Sequence, residues 1–334
     1  FIKWFQDRNA EFWWPGDSSP YSSIKRLLPN HYLDLRSGQV CRFWPLQNRE
    51  SRPLNEAVTK ISDNLTRLMQ SAANRFDLAV AMSAGWASRL MLAACKPIAR
   101  KLRYYTIKLP PIEMAHPDIK IPTKLFAKLG LAHDLIEIRT QVSSQFEDMF
   151  NQQVPFAHQK TKVPMYTILN YYHRHRVGVT GNVSEVARCY YQRPEPPTEA
   201  MTQEYLMKVT HADHPFARKH FGRWLQAMGN CQQYHVLDLF HWEQPHSSWF
   251  AQKCLEFDTA WSDIFTPYNS RRLLMDMLTV DECHRVGPSY NLYTHLIKKM
   301  WSDILSYPIN PKKHPKGLVN NLKRVARQLK RFFL

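Results

Sequence analysis

The chain has 334 residues, with 45 Lys and Arg against 28 Asp and Glu, for a net charge of +17. Apolar residues make up 44% and charged residues 22%, which excludes a largely disordered chain and leaves ample material for a core. No run approaches 18 consecutive apolar residues, which excludes a transmembrane helix.

Residues 1–53 are rich in Trp, Pro and Arg. Alternation in His31–Leu35 and Gln39–Trp44, around Arg36-Ser37-Gly38, predicts a hairpin. A helix is expected over about 54–74, with Val58, Ile61, Leu65 and Leu68 on one face. Phe76–Met82 is apolar apart from Asp77 and predicts a strand, followed by the small-residue turn Ser83–Ser88 and a helix over 89–100. A second strand is expected over 102–107, a helix over 117–130, a third strand over 135–138, helices near 143–153 and 163–173, and a fourth strand over 177–180. Beyond it the pattern is helical: 199–210, 214–227, 233–254, 268–279 and 289–301. Short apolar strands alternating with helices predict an α/β fold, a parallel sheet with helices on both faces, followed by a helical C-terminal portion.

The six cysteines are scattered without CxxC or zinc-ligand spacing, and the 15 histidines contain no HExxH. They read as reduced thiols and no structural metal site, in a cytoplasmic protein. Residues 311–334 carry eight Lys and Arg and no acid, with Leu318, Leu322, Val325, Ala326, Leu329 and Phe333 spaced as one stripe. That is a basic amphipathic helix, docked on the domain or laid on an anionic membrane at its inner face. No helix-turn-helix, zinc-finger or RNA-binding aromatic signature accompanies it, so no specific nucleic acid is expected. Trp242 and Trp249 read as a buried helical stripe, and Asp238 and Glu243 have no evident partner.

In parallel α/β sheets ligands bind beyond the carboxyl ends of the strands. Two such ends stand out. Ser83-Ala84-Gly85-Trp86-Ala87-Ser88 turns from a strand to a helix start, whose free amides suit phosphate. Thr180-Gly181-Asn182-Val183-Ser184-Glu185 brings a carboxylate to a second strand end, within reach of the same crevice if the two strands are neighbours. Each has an ordinary alternative: a turn made small for packing, and a solvated Glu at a helix start.

Together these segments resemble the synthetase domain of the glutamine-dependent asparagine synthetases, within the PP-loop ATP pyrophosphatases. Ser83–Ser88 matches the family's Ser-Gly-Gly-x-Asp-Ser loop, and Thr180–Glu185 its Ser/Thr-Gly turn with a following acid. Phe265–Leu274 resembles its Pro-Phe-Leu-Asp-x-Arg stretch, and Ile24–Leu35 with Arg42–Pro45 its junction with a glutaminase domain. The resemblance spans roughly 20–310. It implies ATP-dependent activation of a carboxylate as an acyl-adenylate, followed by attack of ammonia. By position, Ser83, Ala84, Gly85, Ala87 and Ser88 would line the phosphates with Gly181 and Asn182, and Ile107 would flank the adenine. Glu185 would be the catalytic carboxylate and hold Mg²⁺.

Two departures qualify that implication. The loop Asp of the family is Ala87 here, and a methyl cannot bind Mg²⁺, so catalysis is expected to be impaired more than ATP binding. The family's N-terminal nucleophilic Cys has no counterpart. Residues 1–53 then read as a remnant of a glutaminase-like domain and linker, 54–310 as the ATP-binding domain, and ammonia comes from a domain missing here or from a separate protein. Phe1 in place of Met fits a fragment. The turn differs from the Gly-Glu-Gly-Ala-Asp-Glu form of asparagine synthetases, so the carboxylic acid need not be aspartate; a sugar acid or a natural-product acid suits the basic surface. Two alternatives stand beside the enzyme: a catalytically silent relative that binds a nucleotide or partner, and an electrostatic binder acting through the tail.

Overall fold

The computed structural model describes residues 3, 13–46, 51–109, 114–139, 141–158, 161–191, 201–228 and 234–311. The predicted hairpin is β1 (His31–Asp34) and β2 (Gln39–Arg42), antiparallel, with His31 opposite Arg42 and Asp34 opposite Gln39. Gly38 closes its turn at φ 67°, a conformation that costs glycine little.

Then follow α1 (Leu54–Ala73), β3 (Leu78–Ala81), α2 (Trp86–Ala94), β4 (Arg103–Lys108), α3 (Pro117–Leu129), β5 (Asp134–Glu137), α4 (Ser144–Gln153), α5 (Lys162–Tyr172) and β6 (Val177–Val179). The second half holds α6 (Gln203–Thr210), α7 (Pro215–Met228), α8 (Val236–His241), α9 (Ser247–Asp258), β7 (Asp263–Phe265), α10 (Arg271–Leu278), α11 (Glu282–Arg285) and α12 (Asn291–Trp301).

The last five strands form one sheet in the order β5-β4-β3-β6-β7, every pair parallel. The expected α/β architecture is the observed one. Alternate side chains of β3 explain why its sequence does not alternate in polarity. Leu78 and Val80 enter a core with Ile61 and Leu65 of α1 and Leu296 of α12, while Ala79 enters a second core with Phe146, Phe150, Ile168 and Trp261. Both faces are covered, so both sets of positions must be apolar.

Three local differences have physical causes. The helix after the first turn starts at Trp86, because Gly85 sits extended at φ −79°, ψ 161° as its N-cap. It ends at Ala94, and Lys96–Lys101 tightens into a 3₁₀ stretch with Pro97 in its first turn. The expected helix over 233–254 is interrupted by a π turn, Trp242–His246, containing Pro245, which lacks an amide hydrogen. The expected tail helix over 311–334 lies outside the described residues, apart from Pro311.

Candidate functional site

The chain runs outward from β3 through β4 to β5, then returns to the other side of β3 with β6. The switch point therefore lies between β3 and β6, where Val80 faces Val179. In open α/β sheets this crevice is the ligand site, and both sequence-predicted turns leave the sheet here. Gly181 shows how closely they meet. A Cβ on it would lie 2.9 Å from the Ala87 Cβ and 3.2 Å from the Ala87 carbonyl carbon, so glycine is required for the contact.

The first turn is braced from within. The Ser83 and Ser88 hydroxyls are 3.0 Å apart. Ser83 Oγ accepts the Gly85 amide hydrogen (3.1 Å), and Ser88 Oγ accepts that of Ser83 (3.3 Å). These hydroxyls shape the loop before any ligand arrives. The Ala84 amide donates to Asp118 Oδ1 at 3.0 Å, so a carboxylate already sits on one of the loop's anion-accepting groups. α2 has no side-chain cap, so its first-turn amides, which have no intrahelical acceptors, also lack one from the N-cap side chain.

The second turn is tighter still. The Thr180 amide donates to the Phe265 carbonyl (3.1 Å), and Asn182 Nδ2 donates to Thr180 Oγ1 (2.6 Å). Val183 stands at φ 75°, a left-handed conformation that costs a β-branched residue about 1–3 kcal/mol. Such strain marks a turn held in place by its surroundings.

Glu185 lies on the 3₁₀ turn Ser184–Ala187. Its Oε1 is 3.2 Å from Arg188 Nη2, while its Oε2 is buried with no partner among the described residues. Burial pushes the carboxyl pKa up, and the Arg188 guanidinium only partly offsets this. Arg188 lies over the Tyr290 and Tyr293 rings, at 5.8 and 5.9 Å, and Trp86 packs edge-on against the same two rings. The Tyr293 hydroxyl donates to the Ser184 carbonyl (2.7 Å) and that of Tyr268 to the Ala87 carbonyl (3.2 Å). Ile107 lies on the neighbouring strand, two residues beyond Tyr105, which pairs with Ala81. It lies on β4 opposite Ile136, half-buried against the second core.

The residues do not fit a resident Mg²⁺. Ala87 offers no side-chain oxygen, and Glu185 has one carboxylate oxygen free of its arginine, too few to hold the ion without the phosphates of a nucleotide. Among the described residues, Cys189, Asp238 and Glu282 bring ligand atoms within 4.8 Å of one another. A guanidinium occupies the place of a cation there: Arg285 lies 3.0 Å from Asp238 and 3.7 Å from Glu282.

Sequence reasoning missed two partnerships because the partners are remote in the chain. Asp238 pairs with Arg285, and Glu243, on the π turn, accepts both Arg42 Nη atoms at 2.6 and 2.7 Å across 201 residues. It also missed a cavity of about 370 Å³ beside Asn182 and Glu185, lined by His241, His246 and Trp249. Only the density of His and Trp over 241–249 hints at it.

No protein-family model and no curated protein matches the chain. Among solved structures it is similar to an NH3-dependent NAD synthetase from Campylobacter jejuni (14% identity, 53% of this chain and 84% of that one, TM-score 0.28). It is also similar to an NMN synthetase from Francisella tularensis (12%, 78% and 100%, 0.26) and the U34-tRNA thiolase NcsA from Methanococcus maripaludis (10%, 85% and 83%, 0.29). These proteins have PP-loop ATP pyrophosphatase-type folds, and none of the three is an asparagine synthetase. The fold class of this chain rests on its own strand order.

Proposed function

We propose that the chain is an ATP-dependent ligase domain of the asparagine-synthetase-like kind, with the nucleotide phosphates at the crevice between β3 and β6. The observation behind this reading is the contact of Ser83–Ser88 with Gly181 at the switch point. It places a loop of amides, an uncapped helix start and the Asn182 amide side by side. A carboxylate oxygen of the substrate would attack the α-phosphorus of ATP, break its bond to the bridging oxygen and release pyrophosphate. Ammonia would then add to the acyl carbon, AMP would leave with its electron pair, and the proton shed by nitrogen would pass to Glu185 Oε2. A carboxylate whose pKa burial has raised is suited to that last task. Magnesium would arrive with the phosphates of ATP rather than reside in the protein.

A second reading, a relative that binds nucleotide without turning it over, is favoured by Ala87 and by the loop's internal satisfaction. Calorimetry with Mg·ATP on the chain and on Ala87→Asp, followed by an assay for AMP and pyrophosphate with ammonia present, separates the two. Turnover by the native chain supports the ligase. Binding without turnover, restored by Ala87→Asp, supports the silent relative. Binding by neither protein overturns the nucleotide site itself.

A further inference from the structure

Arg188 is held differently from the two fully buried arginines. Arg89 donates to the carbonyls of Ile304 and Pro308, and Arg285 to the Val280 carbonyl and to Asp238. Arg188 has one acceptor among the described residues, Glu185 Oε1 at 3.2 Å, and its side chain is 17% exposed. Its Nε is buried without a partner, so a ligand would meet the guanidinium at its Nη end. The Tyr290 and Tyr293 rings, at 5.8 and 5.9 Å, support it independently of the carboxylate.

Those rings fix where the charge lies. Trp86, the first residue of α2, packs on the same two rings, and the Tyr293 hydroxyl donates to the Ser184 carbonyl. The aromatic platform under Arg188 therefore touches both turns of the crevice. Tyr268 gives a second bearing, because its hydroxyl donates to the Ala87 carbonyl at 3.2 Å. Burial pushes the pKa of that hydroxyl well above its ordinary value; the Glu185 charge adds to the shift and the Arg188 charge opposes it. Glu185 and Arg188 thus stand around Ala87, the position where the family resemblance calls for a metal-binding Asp.

This arrangement opposes a divalent ion held by the protein. Oε2 is the oxygen of Glu185 left for it, and a dication there would bring three positive charges together at short range. A phosphate meets the opposite situation. The loop amides and the uncapped start of α2 are donors at the positive end of a helix dipole. A guanidinium adds paired N–H groups that match two phosphate oxygens. Leaving Glu185 costs Arg188 one partly exposed contact.

We propose that Arg188 is a phosphate-binding residue that fills the role of the divalent cation, so that the crevice binds a nucleotide's phosphates without a metal ion. The guanidinium leaves Glu185 Oε1 for the phosphate oxygens and stays on the two tyrosine rings as it turns. This rests on the ATP reading above and adds to it that affinity does not depend on magnesium.

The test is calorimetry with ATP on the full chain in two buffers, one with excess magnesium and one with EDTA. The native chain should bind ATP in EDTA at least as tightly as with magnesium. Arg188→Met keeps the length and the packing on the rings but not the charge, and should weaken binding in EDTA at least tenfold. Arg188→Lys keeps the charge without the fork and should weaken it less. Ala87→Asp puts a like charge beside the phosphates, so it should weaken binding in EDTA and introduce a dependence on magnesium. Circular dichroism checks folding, and Arg188→Lys carries the comparison if the Met variant does not fold. A role in packing alone predicts that Met is harmless, so folded Arg188→Met that binds ATP in EDTA as the native chain does overturns the proposal. A native chain that binds ATP only with magnesium also overturns it, and leaves the nucleotide site standing. Absence of binding in both buffers sinks the ATP reading and the proposal with it.

Discussion

Asp118 illustrates how single residues set the properties of this site. Its carboxylate takes the Ala84 amide hydrogen and places a negative charge where phosphate oxygens would come. Nucleotide binding must displace it. Asp118→Ala is therefore expected to tighten Mg·ATP binding several-fold by calorimetry, and weaker binding would show that Asp118 helps to hold the nucleotide. The accompanying loss of stability should be small, about 0.3–1 kcal/mol, since Asp118 also stands in the first turn of α3. His246 makes a second prediction. Its ordinary pKa of 6.5 falls to about 4 on folding through burial. Between those values the unfolded chain binds more protons, so this contribution to stability is complete above about 6.5 and is lost as the pH falls towards 4. The loss amounts to about 3 kcal/mol. His246→Gln should flatten the stability profile in that window, measured by urea denaturation from pH 4 to 7, and an unchanged slope would mean that the ring is charged in the folded state. At this scale the sequence showed residue types but not pairings. Ser83, Ser88, Gly181 and Glu185 were legible because each sits at a strand end next to a small-residue turn. That Ser83 and Ser88 bond each other, and that Arg188 holds half of Glu185, follows from backbone geometry that spacing does not encode.

Elements were legible in proportion to their length and burial. α1 and the strands on the β3 side of the sheet carry long or strongly apolar patterns, and they stand within two residues of expectation. β7 was not expected, because it is three residues, Asp263–Phe265, beginning with an acid. It exists by pairing with β6, where Gly178 faces Ile264. An ideal Cβ on Gly178 would lie 2.8 Å from Ile264 Cδ1 and from the Trp261 ring. Gly178→Ala must push both aside, a cost of about 1–3 kcal/mol for overpacking. Denaturant unfolding should show a lower midpoint at unchanged slope. Because β6 also delivers Thr180 to the crevice, the same substitution should weaken Mg·ATP binding. A stability loss with unaltered nucleotide binding would show that β7 is scaffold and not part of the site's support. The loop is held from its other side by the segment after α12. Asn310 donates its amide hydrogen to the Ala84 carbonyl (2.9 Å), and the buried Arg89 guanidinium donates to the carbonyls of Ile304 (2.7 Å) and Pro308 (3.2 Å). Such a strap cannot be read from periodicity, because its acceptors are main-chain carbonyls.

At the scale of the whole molecule the N-terminal hairpin is joined to the second half of the chain through one carboxylate. Glu243 is fully buried and accepts from four donors: both Nη atoms of Arg42, Asn30 Nδ2 (2.8 Å) and Trp224 Nε1 (2.8 Å). Arg271 Nη1 in turn donates to Asn30 Oδ1 (2.5 Å). The hairpin is thus fixed to the π turn and to α7, and Trp13 and Trp44 enter the same core as α1. The π turn gives this arrangement its reason: it presents Glu243 towards the hairpin while His241 and His246 line the cavity. Glu243→Gln keeps the shape but leaves the Arg42 charge unpaired in a dry site. That should cost about 3–5 kcal/mol, whereas replacing the pair together by Met residues should recover much of the loss. Urea unfolding followed by near-ultraviolet circular dichroism and by far-ultraviolet circular dichroism should give coincident curves for the native chain if hairpin and sheet unfold as one. Separate transitions in Glu243→Gln, with the sheet unaffected, would show that the hairpin is a dispensable attachment. A single transition shifted by the full amount would show that Glu243 holds the two parts together, and that the cavity wall depends on the hairpin for its position.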